Sequence, residues 1–541
     1  MNTERHPTET PPPGTTDRHR PSWVSDESIR HWCSWVHRDT PRHEAAEARL
    51  PVSLAPFDLS PLPSVPSCRP GDVVSAAATA AAAQRRWERV PIAHRARAVL
   101  AFHDLLLERQ DQVLDLIQWE TGKARFHAWQ EVAQVAAIAR HYARRAGRYL
   151  APRRVRGMIP GLTRVTRQRV PKGVVGVVSP WNYPLYLGVG DVLPALLAGN
   201  GVVSKADPQT ALTLLWTRSL LHEAGLPDEL WRIVAGDPVE VGAALVDTVD
   251  FVCFTGSTAT GRTVAERAAR RLTGASLELG GKNPLIVRAD ADVAAAATGT
   301  AVAAFANTGQ MCVHVERVYA HESVYDAFRD ELVRVTESLR PGGSYDYAHD
   351  LGSLVSADRL AAVRAHVEDA VAKGARVVTG GPARPDIGPL FHEPTVLEGV
   401  TPEMAVFAEE TFGPVLSLYR YTTDDEAVGL ANQGSYGLSA SIWSRDIRAA
   451  AGMAARIRAG SVNVNDGAAA AAGSVEAEMG GMGNSGLGRR HGAEGILKYT
   501  ESQTVAVQRF LPLGPPPGRS PEDFVRRTNG QLALLRRLGV R

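Results

Sequence analysis

One pattern constrains this chain more than any other. From residue 173 onward, short apolar runs end in small or polar turns, and each turn opens a helix-like stretch. Gly173 to Ser179 reads as a strand, then Pro180 to Pro184 as a turn, then a helix through Ala198. Gly201 to Ser204 is a second strand ending at Lys205, followed by a helix from Thr210 to Ala224 and the run Trp231 to Val234. Phe251 to Phe254 leads into Thr255-Gly-Ser-Thr-Ala-Thr-Gly261 and another helix. Strands alternating with helices imply a parallel sheet covered on both faces. The rhythm restarts after Pro284 with Leu285 to Val287, a helix, a loop at 307–313, the strand-like Val315 to Ala320 and a helix from Val324 to Leu339. Asp350 to Leu354, Ala375 to Thr379 and Pro394 to Leu397 continue it as further strand candidates. The expected fold class is therefore α/β, with two Rossmann-like parallel-sheet domains.

The rest of the chain is assigned around these two sheets. At 541 residues the chain exceeds one small core. Residues 1–45 read as a mobile extension rich in Pro and charge, with Trp23, Trp32 and Trp35 as local docking candidates. Residues 46–149, helical in pattern from about 71, join 173–283 as a dinucleotide-binding domain; 284–479 form a second domain carrying Cys312. Residues 150–172 alternate in Thr163 to Val170 and read as an extended arm, grouped with 480–509. Residues 510–541 are a basic tail, with an amphipathic helix candidate at 520–541.

Composition excludes several function classes. A formal net charge of +2 leaves no nucleic-acid footprint. Four scattered cysteines have neither disulfide-framework nor metal-ligand spacing, which fits a reducing, cytoplasmic setting. The N-terminus lacks the apolar core of a secretory signal, and no apolar run reaches membrane-spanning length.

Among those cysteines, Cys312 alone lies in a loop context, Asn307-Thr-Gly-Gln-Met-Cys-Val313. A thiol where backbone approaches closely suits a nucleophile; the alternative is an inert buried cysteine. Glu278 is a carboxylate in an apolar strand before two glycines, a candidate general base or a structural ion-pair partner. Asn182, between two prolines, is a rigid amide that suits a developing oxyanion, or a turn former. Gly256 and Ser257 lie where a strand opens a helix, a place that favours an anion. Lys205 and Trp181 follow other strands of the same sheet; Lys205 is a phosphate or ribose ligand or a solvated lysine.

Together, Pro180-Trp-Asn-Tyr-Pro184, Phe254-Thr-Gly-Ser257, Glu278-Leu-Gly-Gly-Lys-Asn283, Asn307 to Cys312, Glu409 to Pro414 and Ser485-Gly-Leu-Gly488 resemble the aldehyde dehydrogenase superfamily over roughly 71–509. The resemblance implies that Cys312 attacks an aldehyde carbonyl and that Asn182 with the Cys312 N–H holds the oxyanion. Hydride would leave for a nicotinamide, and Glu278 would activate water against the resulting thioester. Glu410 would hold the nicotinamide ribose with Phe412 packed nearby, and Trp181, Lys205, Gly256, Ser257 and the Leu279 backbone would line the cofactor site. It further implies a β oligomerisation arm and a homodimer or homotetramer, and it brings no metal.

Two finer expectations concern cofactor and substrate. In the family a Glu three residues after the lysine commonly repels a 2′-phosphate; here that position is Pro208, beside Asp207, which points to NADP with NAD tolerated. Met479 to Gly483, Gly488 to Gly492, Gly495 to Thr504 and Asp386 to Leu390 are similar to an actinobacterial type of NADP-dependent succinate-semialdehyde dehydrogenase. The better-known succinate-semialdehyde dehydrogenases carry arginines where this chain has Gly190 and Ala306, so a substrate carboxylate needs another partner: His314, Arg317 or the 466–476 loop. The Ala-rich loop from Gly467 to Gly473 suggests a broader, more apolar pocket. A coenzyme-A-acylating relative needs no hydrolytic base, so Glu278 argues against it; a non-catalytic binding protein on the same fold is the reading from another class.

Overall fold

The computed structural model describes residues 19–37, 52–157, 163–508 and 514–539. Two compact units emerge: 1–149 with 171–499, and 150–170 with 500–541.

The larger unit holds two sheets. The first has the strand order Gly486–Leu487, Gly274–Glu278, Phe251–Thr255, Val174–Val178, Gly201–Lys205, Trp231–Val234. All neighbours are parallel except the short edge strand Gly486–Leu487, which pairs antiparallel so that Gly486 faces Glu278. Val175, Val202, Val203, Val252 and Ile233 are fully buried, as expected of a sheet covered on both faces. Removing each such side chain from water contributes roughly 1.5–3 kcal/mol. The second sheet runs Arg376–Thr379, Thr395–Glu398, Val415–Tyr421, Val315–His321, Asn283–Val287, Ser439–Trp443, Ser461–Val464. Its helix Val293–Phe305 starts where the Asp292 side chain accepts the Ala295 N–H. The two expected α/β layers are present.

Helices Pro70–Trp87, Ile92–Glu108, Gln110–Thr121 and Arg125–Leu150 form the expected helical region. Pro70 opens the first, where its missing N–H costs nothing, and Gly122 ends the third in a left-handed conformation, φ +70°.

Three expectations are corrected. Residues 480–499, assigned to the arm, belong to the larger unit, because Gly486–Leu487 satisfies the open edge of the first sheet. Residues 350–354 form no strand; Leu351 makes only an isolated bridge with Pro341. Within the N-terminal extension, residues 19–37 are docked rather than loose. Helix Asp26–Cys33 buries Trp32, Trp23 Nε1 donates to Asp115 at 3.0 Å, and Val36 bridges Ile233 at the sheet edge. Residues 1–18 and 38–51, the remainder of the expected extension and its junction, lie outside the described residues.

The smaller unit contains a three-stranded sheet, Arg153–Val155, Thr163–Pro171 and Thr500–Gln508. Its long strands are tied by Thr163 to Gln508 and Gln168 to Gln503. Helix Pro521–Arg537 realises the expected tail helix and buries none of its residues.

Candidate active site

The Cys312 loop departs from helix Val293–Phe305 through three consecutive left-handed residues, Asn307, Thr308 and Gly309, at φ +51°, +55° and +69°. Only glycine fits at 309, because a Cβ would lie 2.0 Å from the Gly413 carbonyl oxygen. Side-chain hydrogen bonds hold the other two in this costly geometry, Thr308 Oγ1 donating to the Gly352 carbonyl at 3.0 Å. Asn307 Nδ2 donates to the carbonyls of Asn182 (3.2 Å) and Gln310 (3.0 Å). Gln310 donates to the Asn307 and Ser353 carbonyls and accepts from the Val355 N–H. The Cys312 carbonyl accepts from Asn283 Nδ2 at 2.8 Å.

Asn182 reaches the same loop from the first sheet. Its Nδ2 donates to the Gln310 carbonyl at 3.0 Å, which uses one of the two amide protons and leaves the second. The turn carrying it is fixed by a buried ion pair that the sequence did not single out. Lys123 Nζ meets Glu131 Oε1 at 2.5 Å, both side chains being fully buried, and also donates to the Asn182 carbonyl at 2.7 Å. Glu131 Oε2 accepts the N–H groups of Leu185 (2.9 Å) and Tyr186 (3.0 Å) at the start of helix Pro184–Val189. No local pattern marks the pair, since Arg125, His127 and Gln130 lie between the two residues.

Glu278 ends strand Gly274–Glu278, and its Oε1 is buried with no hydrogen-bond partner among the described residues. Burial pushes its carboxyl up to about 7, while Arg490 and Lys498 hold it back. Arg490 is placed by long-range contacts. It donates from Nε and Nη2 to Asp191 Oδ2 at 3.0 and 2.7 Å, and from Nη2 to Thr255 Oγ1 at 2.5 Å. Thr255 is the direct register partner of Glu278 across the parallel sheet, so the two side chains share a face. Lys498 and Tyr499 donate to Asp191 Oδ1 at 2.9 and 2.7 Å. Burial alone would raise Asp191, but Arg490 and Lys498 outweigh it and hold the carboxyl well below the usual range. Cys312 is pushed up to about 12 by burial and by the carboxylates of Glu278 and Glu410, with Arg490 opposing. The thiol therefore has to hand its proton on as it reacts, and an unpaired carboxylate oxygen belongs to the same neighbourhood.

The expected cofactor residues gather at the carboxyl ends of adjacent strands. Ser257 caps helix Thr258–Ala269 by accepting the Thr260 N–H, and the Gly256 N–H donates to the Glu278 carbonyl at 3.1 Å. Lys205 is buried, and among the described residues its ammonium makes one long hydrogen bond, 3.4 Å to the Ala206 carbonyl. Such a cation calls for an acceptor such as a phosphate or ribose hydroxyl. Burial lowers its pKa, with Asp207 and Asp237 opposing. Asp207 caps the short turn Pro208–Thr210 by accepting the Gln209 N–H at 3.0 Å, and the Pro208 carbonyl accepts from Ser53.

From the second sheet, Glu410 Oε1 accepts the Gly281 N–H at 2.9 Å, and burial followed by Glu316 pushes its carboxyl up to about 7. A Cβ on Gly280 would sit 2.3 Å from Glu410 Oε2, so the glycine keeps this cradle open. Phe412, φ +51°, stands edge-on to Trp181 with centroids 5.7 Å apart. Leu279 packs against Gly261, and its N–H donates to the Ser485 carbonyl. This arrangement fits a dinucleotide laid across strand ends, with a helix N-terminus and one buried ammonium for its phosphates.

The candidates for a substrate carboxylate are not available. Arg317 donates to the carbonyls of Lys282, Leu430, Ala431 and Gln433. His314 lies between the Met311 carbonyl and Glu316, which is also paired with Lys282. In the 466–476 loop Asp466 accepts the Ala470 N–H, and the loop contains no cation. Backbone carbonyls and Glu316 have claimed the groups that sequence proximity to Cys312 had suggested.

The family model described as "Aldehyde dehydrogenase family" matches residues 44–505. A Mycolicibacterium smegmatis protein, provisionally named succinate-semialdehyde dehydrogenase (NADP+), is 50% identical over 459 residues, 85% of this chain and 89% of that protein. Succinate semialdehyde dehydrogenase of Acinetobacter baylyi is 34% identical over 81% of this chain and 90% of its own length. Among solved structures, succinate-semialdehyde dehydrogenase from Burkholderia pseudomallei superposes with a TM-score of 0.82 at 34% identity, covering 85% of this chain and 95% of that one. A family match spanning the strands, the Cys312 loop and the Glu278 edge described above means that this chain belongs to the aldehyde dehydrogenase family.

Proposed function

We propose that the protein oxidises an aldehyde to a carboxylate with NADP, and that succinate semialdehyde is its substrate. The observation that carries the reaction type is the meeting of the Asn182 amide, the Cys312 loop and an unpaired Glu278 oxygen at one place.

Cys312 Sγ adds to the aldehyde carbon as its proton passes to the Glu278 carboxylate and on to solvent. The free N–H of Asn182 and the Cys312 backbone N–H are the donors for the oxyanion that forms, where preorganised dipoles act most strongly. A nicotinamide cofactor, when bound, takes up the hydride that leaves the substrate carbon. As the C–H bond breaks, the oxyanion re-forms the carbonyl, now a thioester on Cys312. Glu278, its pKa near 7, takes a proton from water as water attacks the thioester carbon; the C–S bond breaks, and acid and thiol are restored. Lys205, Ser257, Gly256 and Glu410 would hold the cofactor, with Trp181, Phe412 and Leu279 packing around it.

The choice of NADP is supported by Pro208, which has no charge to oppose a 2′-phosphate, and by the engagement of Asp207 with its own turn. The names of the bacterial relatives support succinate semialdehyde. The same relationship supports a cytoplasmic enzyme that forms a homodimer or homotetramer through the sheet of the smaller unit. The test is NADPH formation from succinate semialdehyde by the purified protein, with succinate identified as product and with no requirement for coenzyme A. Absence of NAD(P)H formation with any aldehyde in a broad panel would overturn the reading.

A further inference from the structure

We propose that Glu316 is a positioning residue for the nicotinamide half of the cofactor, acting through the turn that carries Glu410 and Phe412. This deepens the reading of Glu410 as a ribose ligand and rests on it.

Glu316 lies near the start of strand Val315–His321, which is flanked in the second sheet by Val415–Tyr421 and Asn283–Val287. Each of these three strands is entered from the site. Cys312 precedes the central one, Glu410 and Phe412 precede one neighbour, and Glu278 with Lys282 precedes the other. Register beside the last neighbour slips at this point. Asn283 faces Val315 and Pro284 faces Arg317, so Glu316 is left without a register partner there. A bulge of this kind re-aims one side chain, and bulges gather beside active sites.

The re-aimed carboxylate is fully buried and meets all three lead-in segments. Oε1 accepts the N–H groups of Thr411 at 3.0 Å and Phe412 at 3.3 Å. Oε2 accepts from Lys282 Nζ and lies 3.1 Å from the Thr411 nitrogen. His314, two residues after Cys312, brings Nε2 to 3.0 Å from Oε1. Burial alone would raise the Glu316 carboxyl, but Lys282 and His314 outweigh it and hold it well below the usual range. The acceptor is therefore an anion, and the bonds it receives are charge-assisted.

The shape of the cofactor turn depends on this anion. Phe412 has φ +51°, a conformation that a bulky side chain rarely adopts. Its ring stands edge-on to both Trp181 and His314, with centroids 5.7 and 6.2 Å away. Glu410 is held at both ends. The N–H that follows it belongs to Thr411 and is bound by Glu316, while its own Oε1 accepts the Gly281 N–H at 2.9 Å. Segments 280–282 and 410–412 are thus joined twice, once by Glu410 itself and once through Glu316. An ion pair with Lys282 alone would need no backbone donors from the turn. Strained backbone held by such contacts is found at ligand clamps. Without the carboxylate both N–H groups lose their acceptor, and the turn that aims Glu410 loses its support.

The test is binding, measured by calorimetry on the full chain with NADPH and, separately, with adenosine 2′,5′-bisphosphate. The bisphosphate is the adenine half of NADP and carries no nicotinamide ribose. Glu316→Ala should raise the Kd for NADPH about tenfold, the scale of a lost hydrogen bond to a charged group, and leave the Kd for the bisphosphate unchanged. Glu316→Gln, which keeps an acceptor oxygen, should show a smaller rise. Glu410→Ala should repeat the pattern of Glu316→Ala. Wild-type affinity for NADPH in Glu316→Ala, or a loss shared equally by NADPH and the bisphosphate, overturns the proposal. If Glu316→Ala does not fold, the NADPH-to-bisphosphate ratio of Glu316→Gln decides in the same way. Wild-type NADPH affinity in Glu410→Ala overturns the reading of Glu410 and the proposal with it. A wild type that binds no nicotinamide cofactor overturns the proposed function instead.

Discussion

Arg490 and Asp191 are joined by two hydrogen bonds, 2.7 and 3.0 Å long, in a place where both side chains are nearly inaccessible to water. Their partnership fixes a guanidinium beside Thr255, the residue in register with Glu278. The pair thus puts a permanent positive charge next to the carboxylate proposed as the base, and Arg cannot lose that charge by deprotonation.

The first prediction follows from the sign of that interaction. Burial raises Glu278 to about 7, and Arg490 is the largest influence in the other direction. Arg490→Gln removes a charge that favours the ionised carboxylate, so the Glu278 pKa should rise further. The limb of kcat that increases as Glu278 loses its proton should move to higher pH. At neutral pH the variant should be slower, and it should recover as pH rises. A kcat–pH profile superimposable on wild type would show that Arg490 does not tune the base.

The nucleophile and the base separate kinetically. Cys312→Ala should abolish aldehyde oxidation while the cofactor still binds. Glu278→Gln should form the thioester and then stall, giving a burst of NAD(P)H close to one equivalent per site and a slow steady rate. Stopped-flow absorbance reads both phases. Wild-type steady turnover in the Gln variant would remove Glu278 from the hydrolytic step.

The Lys123–Glu131 pair is fully buried and supports the Asn182 carbonyl and the two N–H groups after it. Lys123→Ala leaves a carboxylate buried without its cation. Breaking a pair of this kind costs about 3–5 kcal/mol. The denaturant midpoint should fall accordingly, and surviving activity should show a lowered kcat because the Asn182 turn has lost its support. A midpoint unchanged from wild type would mean that the pair makes no net contribution.

Cofactor choice turns on Pro208. Pro208→Glu would add an acceptor for ribose hydroxyls and a charge opposed to a 2′-phosphate. The NADP-to-NAD ratio of kcat/KM should fall by about tenfold or more, corresponding to roughly 1–3 kcal/mol for one pocket contact. Lys205→Ala should weaken both cofactors. Steady-state kinetics with each cofactor at fixed aldehyde provides the measurement; an unmoved ratio in Pro208→Glu would transfer attention to Asp207.

What the sequence determined by itself was whatever depends on near neighbours along the chain. The βαβ layers were legible because strand and helix periodicities are local, and Val174–Val178 or Phe251–Thr255 can be buried only one way in a two-faced sheet. Cys312, Glu278 and Asn182 stood out as candidates through their glycine- and proline-rich neighbours, but it was the resemblance to a known family that gave them roles; the local residues alone left inert or structural alternatives open. Only the tertiary structure decided how charges are paired. Arg490 meets Asp191 across 299 positions, and Lys123 meets the Asn182 carbonyl across 59. Residues 480–499 went to the larger unit because an open sheet edge there needed a partner, which no local pattern announces. His314 and Arg317, near Cys312 in sequence, turned to Glu316 and to backbone carbonyls, whereas His491, far away in sequence, came to rest against Tyr186. Burial and charge pairing depend on what lies within a few ångströms in space, and that is set by packing rather than by order along the chain.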